Sequence, residues 1–320
     1  MKTDLPQIAE ELKKYKTFAL FIHIRPDGDA VGSALGLKSA LRAIGKKADI
    51  FCADEVPEKF YFLAGADEIS RSFCGGYEAH VALDCSDEAR LGELSGAFAK
   101  AKTTFGIDHH VSNTRYAKFN YVGDKASNCE NAFALIGLLG VTPDAEAATA
   151  LLTGVVTDSG NFSHGNTTAE TLSAAAALKA LGGDIEKINY KMFKEQSPAR
   201  AKLFGMTACG VRYFENGRIG LMTVTKKALG ESGARPDETE GFIDFLMGVN
   251  TVEVGMCMME MADKTYKVSF RSKKADVNAV AGTFGGGGHV LASGCMIRGY
   301  YEDAVDRLVY ACRQHMEDLP

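Results

Sequence analysis

The chain has 320 residues, with 36 Lys+Arg against 41 Asp+Glu, a formal net charge of -5, 46% hydrophobic residues and 24% charged ones. At roughly 100–200 residues per domain this length supports two domains, each with its own core, and the composition excludes a disordered chain. The acidic balance excludes a protein that coats long nucleic acid by charge alone, but a short anionic ligand held at one site stays open.

Residues 1–16, MKTDLPQIAEELKKYK, mix acids and bases at helical spacing and do not read as a signal peptide. Residues 17–22, TFALFI, read as a strand, followed by a helix over about 31–44 and strands at 48–53, 80–84 and 103–108. Strands alternating with helices predict an α/β domain with a parallel sheet and helices on both faces. Ligands bind such sheets beyond the carboxyl ends of the strands. From 128 to 196 the pattern turns helical, with runs at 130–140, 145–157, 168–182 and 184–194. Ser197-Pro198 breaks the chain, and 191–210 is read as a connector between a 1–190 domain and a 211–320 domain. Beyond it, 211–225 predicts a hairpin turning at Glu215-Asn216-Gly217, since Asn-Gly suits a tight turn with φ > 0. Strands at 251–262 and 265–272 and helices near 276–284 and 302–316 complete a smaller α+β domain.

No apolar run approaches the ~18 residues of a bilayer span, so a cytoplasmic protein without a membrane partner is expected. The eight cysteines are scattered without a CxxC pair and read as reduced, buried thiols.

Four segments place Asp or His at the end of a predicted strand or beside a helix: His23-Ile-Arg-Pro-Asp27-Gly-Asp29, Asp84, Asp108-His109-His110 and Asp158. Alone, each reads as a turn residue or a helix cap. Together they crowd five aspartates and three histidines on one sheet edge, where the carboxylates would repel one another unless cations neutralised them. Mixed imidazole and carboxylate donors suit Mn²⁺, with zinc or iron less excluded than magnesium. Cys85 would point away from Asp84 along a continuing strand, which argues against a thiolate site. Seven or eight donors exceed the needs of one ion. Two ions about 3.5–4 Å apart can lower the pKa of a bridging water and clamp the attacking and leaving oxygens of a phosphoryl transfer.

His-x3-Asp-x-Asp, an isolated Asp after a strand, Asp-His-His and a later Thr-Asp-Ser-Gly resemble, in order, the four motifs of the DHH phosphoesterases. GTFGGGGHVLASGC at 282–295 resembles the Gly-Gly-Gly-His signature of the DHHA1 substrate-binding domain, and FRS at 270–272 a second segment of it. The resemblance covers nearly the whole chain and is strongest to the stand-alone, two-domain members. Those degrade very short RNA (nanoRNA) to 5'-mononucleotides and dephosphorylate 3'-phosphoadenosine 5'-phosphate (pAp) to AMP, with a two-metal activated hydroxide.

The resemblance implies His23 and Asp27 on one Mn²⁺, Asp29, His109 and Asp158 on the other, and Asp84 bridging both. Asp108 would orient a histidine and His110 would face the scissile phosphate. It further implies that Arg271, Ser272, Gly286, Gly287, Gly288 and His289 hold the substrate, across a cleft from the metals. Independently of family, side-chain-free backbone N–H groups in the glycine run can approach an anion closely. Ser127 or Asn128 is expected to cap a helix, with Glu130 near the metals by resemblance. Arg115 reads as an exposed loop residue, and His80, His164 and His315 have no motif support. The signature continues here as Ala292-Ser293-Gly294 where the family commonly has Ala-Ala-Gly.

The expected substrates are short oligoribonucleotides, pAp or dinucleotides and no long nucleic acid; residues 211–320 carry 13 Lys+Arg against 15 Asp+Glu, which offers no basic groove. A homodimer is left open. The rival within enzymes is a phosphodiesterase for cyclic or linear dinucleotides; a family II pyrophosphatase and a RecJ-type exonuclease rank lower. From another class, a nucleotide-sensing binding protein without turnover would keep the same fold.

Overall fold

Phe18 and Leu20 alternate with Ala19 and Phe21 along the first strand, and that alternation decides the layering of the N-terminal part. In the computed structural model, which describes residues 3–262 and 264–316, the chain divides into two compact units, Met1–Glu195 and Gln196–Pro320. In the first, helix α1 (Leu5–Lys13), capped by the Asp4 carboxylate, leads into β1 (Thr17–Phe21), α2 (Gly28–Ala43), β2 (Lys47–Phe51) and β3 (Ala79–Leu83). The short helix α3 (Ser95–Ala99), β4 (Thr104–Asp108) and β5 (Phe119–Val122) follow, then the helices α4 (Asn128–Leu138), α5 (Ala145–Asp158), α6 (Ala169–Ala180) and α7 (Ile185–Asn189).

The five strands form one parallel sheet in the order β2-β1-β3-β4-β5. Phe18 and Leu20 face a core shared with α1, α2 and α4, while Ala19 and Phe21 pack on Leu91, Leu94 and Phe98. Helices thus cover both faces. The strand order reverses between β1 and β3, which opens a crevice at their carboxyl ends. Three of the four sequence motifs lie at the carboxyl ends of β1, β3 and β4, and Asp158 ends α5 instead.

The second unit begins with α8 (Pro198–Cys209), capped by Ser197 with Pro198 at its first position. Part of the expected connector, α8 here contributes Leu203 to a core with Met222 and Val224. There follow β6 (Arg212–Phe214), β7 (Ile219–Val224), α9 (Lys226–Ser232), α10 (Phe242–Met247), β8 (Val254–Glu260) and β9 (Thr265–Ser272). The chain then forms α11 (Val277–Gly282), β10 (Gly287–His289), β11 (Ala292–Arg298) and α12 (Tyr301–Gln314). Six strands in the order β10-β11-β9-β8-β7-β6 form a mixed sheet, parallel only between β7 and β8. The predicted hairpin is present, with Glu215 and Asn216 at φ of 49° and 56°. Val268, Phe270 and Ile297 face α11 and α12 across one core, and α8 and α10 lie on the other face.

Among the described residues no helix is long and apolar enough to cross a membrane. All eight cysteines are free, and against expectation Cys74 and Cys209 are exposed rather than buried.

Candidate metal centre

His23 stands two residues past β1, fully buried, with Nδ1 2.7 Å from the carbonyl oxygen of Ile24. Asp27 caps α2, its Oδ1 accepting from the amides of Asp29 and Ala30 at 3.1 and 3.0 Å. Asp29 opens α2 and is also buried; its two oxygens accept from the amides of Asn128 and Cys129, at 2.5 and 2.8 Å, at the start of α4. A helix N-terminus presents unpaired N–H groups and positive potential, so it fastens a carboxylate well. Asp84 follows β3 with φ of 54°, a conformation in which a non-glycine residue is strained by about 1–3 kcal/mol. Asp158 is the last residue of α5.

What brings Asp158 beside Asp29 is the crossing of α2 and α5. A Cβ on Gly28 would lie 2.6 Å from Thr157 Oγ1, and one on Gly154 would lie 2.5 Å from Asp29 Oδ1. Alanine at either position would push the helices apart and the two carboxylates with them.

Two of the groups in which the side chains converge are His23 with Asp27 and Asp84, and Asp29 with His109 and Asp158, the donor atoms of each lying within 4.8 Å of one another. Asp84 sits between them: Oδ2 is 3.6 Å from His23 Nε2 and Oδ1 is 3.4 Å from His109 Nε2. His109 Nε2 is also 3.7 Å from Asp29 and 3.5 Å from Asp158. These are separations of atoms that share a central point, not hydrogen-bond lengths. Accordingly His23 Nε2, Asp84 Oδ1 and His109 Nε2 are buried without a hydrogen-bond partner among the described residues. Each such orphan costs about 1–3 kcal/mol unless something in the site satisfies it. Nδ1 of His109 faces the carbonyl oxygen of Lys125 at 3.1 Å, as Nδ1 of His23 faces that of Ile24, which turns both Nε2 lone pairs inward. The donor set therefore fits divalent cations.

The electrostatics agree. Burial, then the charge of Asp84, pushes Asp29 up to about 8; burial, then Asp29 and Asp84, pushes Asp158 up to about 9. Burial works against charge on His23 and His109, but the surrounding carboxylates outweigh it and raise both to about 10. For Asp84 burial is outweighed by the two histidines, and its carboxyl is held well below the usual range. Protons thus occupy the cluster until a cation displaces them.

Asp108 falls in a third group, with Asp84, His109 and His110, whose donor atoms also lie within 4.8 Å of one another. Its Oδ1 is 2.8 Å from His110 Nδ1, and its Oδ2 accepts from Asn113 Nδ2 at 2.6 Å. Asn113 also donates to the Cys85 carbonyl at 3.1 Å and accepts from Arg115 N at 2.7 Å, so its amide has one orientation. His110 is one-third exposed and its pKa is raised, chiefly by the Asp108 hydrogen bond. Asn113 has no place in the sequence reading; the only signal was its position five residues after Asp108.

Other expected neighbours take structural roles. Ser127 caps α4 in a reciprocal box with Glu130, whose carboxylate accepts from Ser127 N at 3.1 Å. His80 is buried among Phe21, Phe73 and Phe98. His164 Nδ1 lies 3.2 Å from the carbonyl of Asp158. Arg115 is exposed, with φ of 56°.

In the second unit Arg271 is exposed on β9. Strand alternation turns Ser272 to the opposite, buried face, where its hydroxyl accepts from Lys274 N at 3.1 Å, whereas the resemblance implies that this hydroxyl holds the substrate together with Arg271. The glycine run also differs from a backbone cradle: Gly286 N donates to Ala281 O and Gly288 N to Asn278 Oδ1. Glycine is required at 286 and 288 because a Cβ would lie 2.2 Å from Gly294 O and 2.6 Å from Ala292 O. His289, exposed, pairs with Ala292, which pairs in turn with Arg271, so His289 and Arg271 share one face.

The DHH family N-terminal domain matches residues 17–155 and the DHHA1 domain residues 220–318. The chain belongs to the DHH family of phosphoesterases, hydrolases that act on phosphoester bonds. It is 32% identical, over 97% of its length and 93% of the relative's, to the bifunctional oligoribonuclease and PAP phosphatase NrnA of Thermus thermophilus. To the protein of that name from Bacillus subtilis it is 27% identical over 98% and 100%. The crystal structure of an exopolyphosphatase-related protein from Bacteroides fragilis superposes with a TM-score of 0.83 at 24% identity, covering 97% of this chain and 95% of that one.

Proposed function

We propose that this protein is a manganese-dependent hydrolase that cleaves very short oligoribonucleotides to 5'-mononucleotides and dephosphorylates pAp to AMP in the cytoplasm. The observation that carries the reading is the convergence of two orphaned imidazole nitrogens on Asp84 between them. The names of the relatives from Thermus thermophilus and Bacillus subtilis support the substrate class.

His23, Asp27 and Asp84 would hold one ion, and Asp29, His109, Asp158 and Asp84 the other. Such a pair supplies a nucleophile at neutral pH and charge stabilisation for the phosphoryl group in flight. The chain's own groups do the rest. The carbonyls of Ile24 and Lys125 keep the ligand imidazoles in one tautomer. Asp108, steadied by Asn113, holds a proton on His110 Nδ1 and orients the ring toward the phosphate, where His110 hydrogen-bonds the developing charge or protonates the leaving oxygen. Arg271 and His289 grip a substrate phosphate in the second domain.

The test is turnover with Mn²⁺ on pAp, RNA from the dinucleotide to the twenty-four-mer, and cyclic and linear dinucleotides. Fastest hydrolysis of the shortest RNA and of pAp is expected. A preference for the twenty-four-mer overturns the reading, and confinement to cyclic dinucleotides moves it to the rival phosphodiesterase.

A further inference from the structure

One face of the C-terminal sheet is only half covered. Phe242 and Leu246 of α10 and Leu203 of α8 pack on Met222 and Val224 of β7, and Ile243 and Met247 close over Gly255 of β8. On the strands beyond, Lys267, Arg271 and Met296 are exposed. The register aligns His289, Ala292, Arg271 and Gly255 in one row across β10, β11, β9 and β8, and Gly294, Ser269 and Cys257 in the next. Directly opposed residues share a face. Between the charged positions the floor is therefore Ala, Gly, Ser and Cys, low enough for a planar ring to lie against the peptide groups.

A cavity of about 250 Å³ opens where the covered half ends. Its floor is Cys257, Met259, Lys267, Ser269 and Arg271, and its wall is the 236–243 segment, including Glu240 and Ile243. Pockets for drug-sized ligands run to roughly 300–1,000 Å³, so this one takes a single ring system. Asp237 is paired with Arg235 at 3.2 Å. Among the described residues, Lys267 and Arg271 have no carboxylate within 4 Å, Arg271 Nη1 donating only to the Phe270 carbonyl at 3.0 Å, and the Glu240 carboxylate has no cation within 4 Å, Arg200 bonding the Glu240 backbone carbonyl instead at 2.7 Å. Two cations without an ion pair, a shallow slot over Cys257 and Ser269, and one carboxylate without an ion pair match the three parts of a nucleotide with an amino-bearing base.

We propose that this cavity is a nucleobase pocket: with its phosphate on Arg271 and Lys267, a nucleotide lays its base over Ser269 and Cys257 beneath the 236–243 segment, and Glu240 accepts hydrogen bonds from the exocyclic amino group. Uracil, which presents a carbonyl on each side of its ring N–H, is disfavoured there. The inference rests on the short-nucleotide reading above and deepens it by naming which base is preferred and which residues read it.

The experiment compares the full chain with Cys257→Phe, which fills the floor, and Glu240→Ala, an exposed substitution that keeps the fold. Substrates are pApA, pUpU and a fully abasic dinucleotide, with KM and kcat measured for each. In the unsubstituted chain KM for pApA is expected to be about tenfold below that for the abasic dinucleotide, the scale of one well-used pocket contact. Cys257→Phe should abolish that advantage with kcat changed by less than about twofold, since none of the lining residues belongs to the metal cluster. Glu240→Ala should bring the pApA to pUpU ratio of KM toward unity. Turnover with these KM values unchanged in the variants overturns the pocket alone. No turnover of any of the three substrates by the unsubstituted chain overturns the short-nucleotide reading, and the pocket with it.

Discussion

The two sheets solve opposite problems. The N-terminal sheet buries the proposed metal ligands: His23, Asp29 and Asp84 are all but inaccessible, and three of the donor atoms have no partner among the described residues. The C-terminal sheet leaves the groups proposed to bind substrate in the open, with Lys267, Arg271 and His289 on an exposed face floored by small residues. Burial without partners makes a site that strongly prefers a cation. Exposure of unpaired charge makes a surface that binds an anion and lets it go. The contrast separates bond-breaking from grip, and substitutions in the two regions should separate kcat from KM.

The largest effect is expected at Asp84. Asp84→Asn keeps the shape and the left-handed backbone but removes the charge between the two histidines, and hydrolysis should fall by at least about a thousandfold. Metal analysis should show fewer than two Mn²⁺ bound per chain; full activity would end the two-ion assignment. Next comes Asn113→Ala, which frees Asp108 and His110 to rotate. A loss of about 10- to 100-fold in kcat with KM little changed is expected, the usual scale for groups that orient a site residue; a rise confined to KM would place Asn113 in binding instead. Arg271→Ala should act the other way, raising KM for short RNA about tenfold while kcat holds.

The smallest effect is a pH dependence of stability. The raised values of Asp29 and Asp158, about 8 and 9, and of His23 and His109, about 10, all mean that the metal-free fold binds protons more tightly than the unfolded chain. Stability from these groups is complete below the unfolded pKa values and is lost as pH rises through the folded ones. The melting temperature of chelator-treated protein should therefore fall between pH 6 and 9. Saturating Mn²⁺ should raise it and flatten the slope, because the cation replaces the protons. A metal-free melting temperature that rises over this range would contradict the crowding of carboxylates.

Much of this was legible in the chain. The alternation in 17–22, the spacing of the four motifs and the Asn-Gly turn are local signals, and the structure carries β1, the cluster and the hairpin where they point. The short elements β5, α9 and α10 were not legible, because four to seven residues are too few to show a period and tertiary packing decides their state. The amides that hold Asp29 come from a helix a hundred residues away, and no local pattern announces them. Ser272 is different: strand period two already puts it on the face opposite Arg271. At Gly286 and Gly288 a functional reason was expected where the packing of β10 on β11 supplies a steric one.

Asp29 has both oxygens tied to the first amides of α4. A carboxylate fastened in this way cannot swing outward with a departing cation, so exchange at the site proceeds as a swap of protons for metal on a standing scaffold. The amides of Asn128 and Cys129 should then exchange slowly with deuterium whether or not metal is bound, as reporters of a ligand set arranged by folding itself.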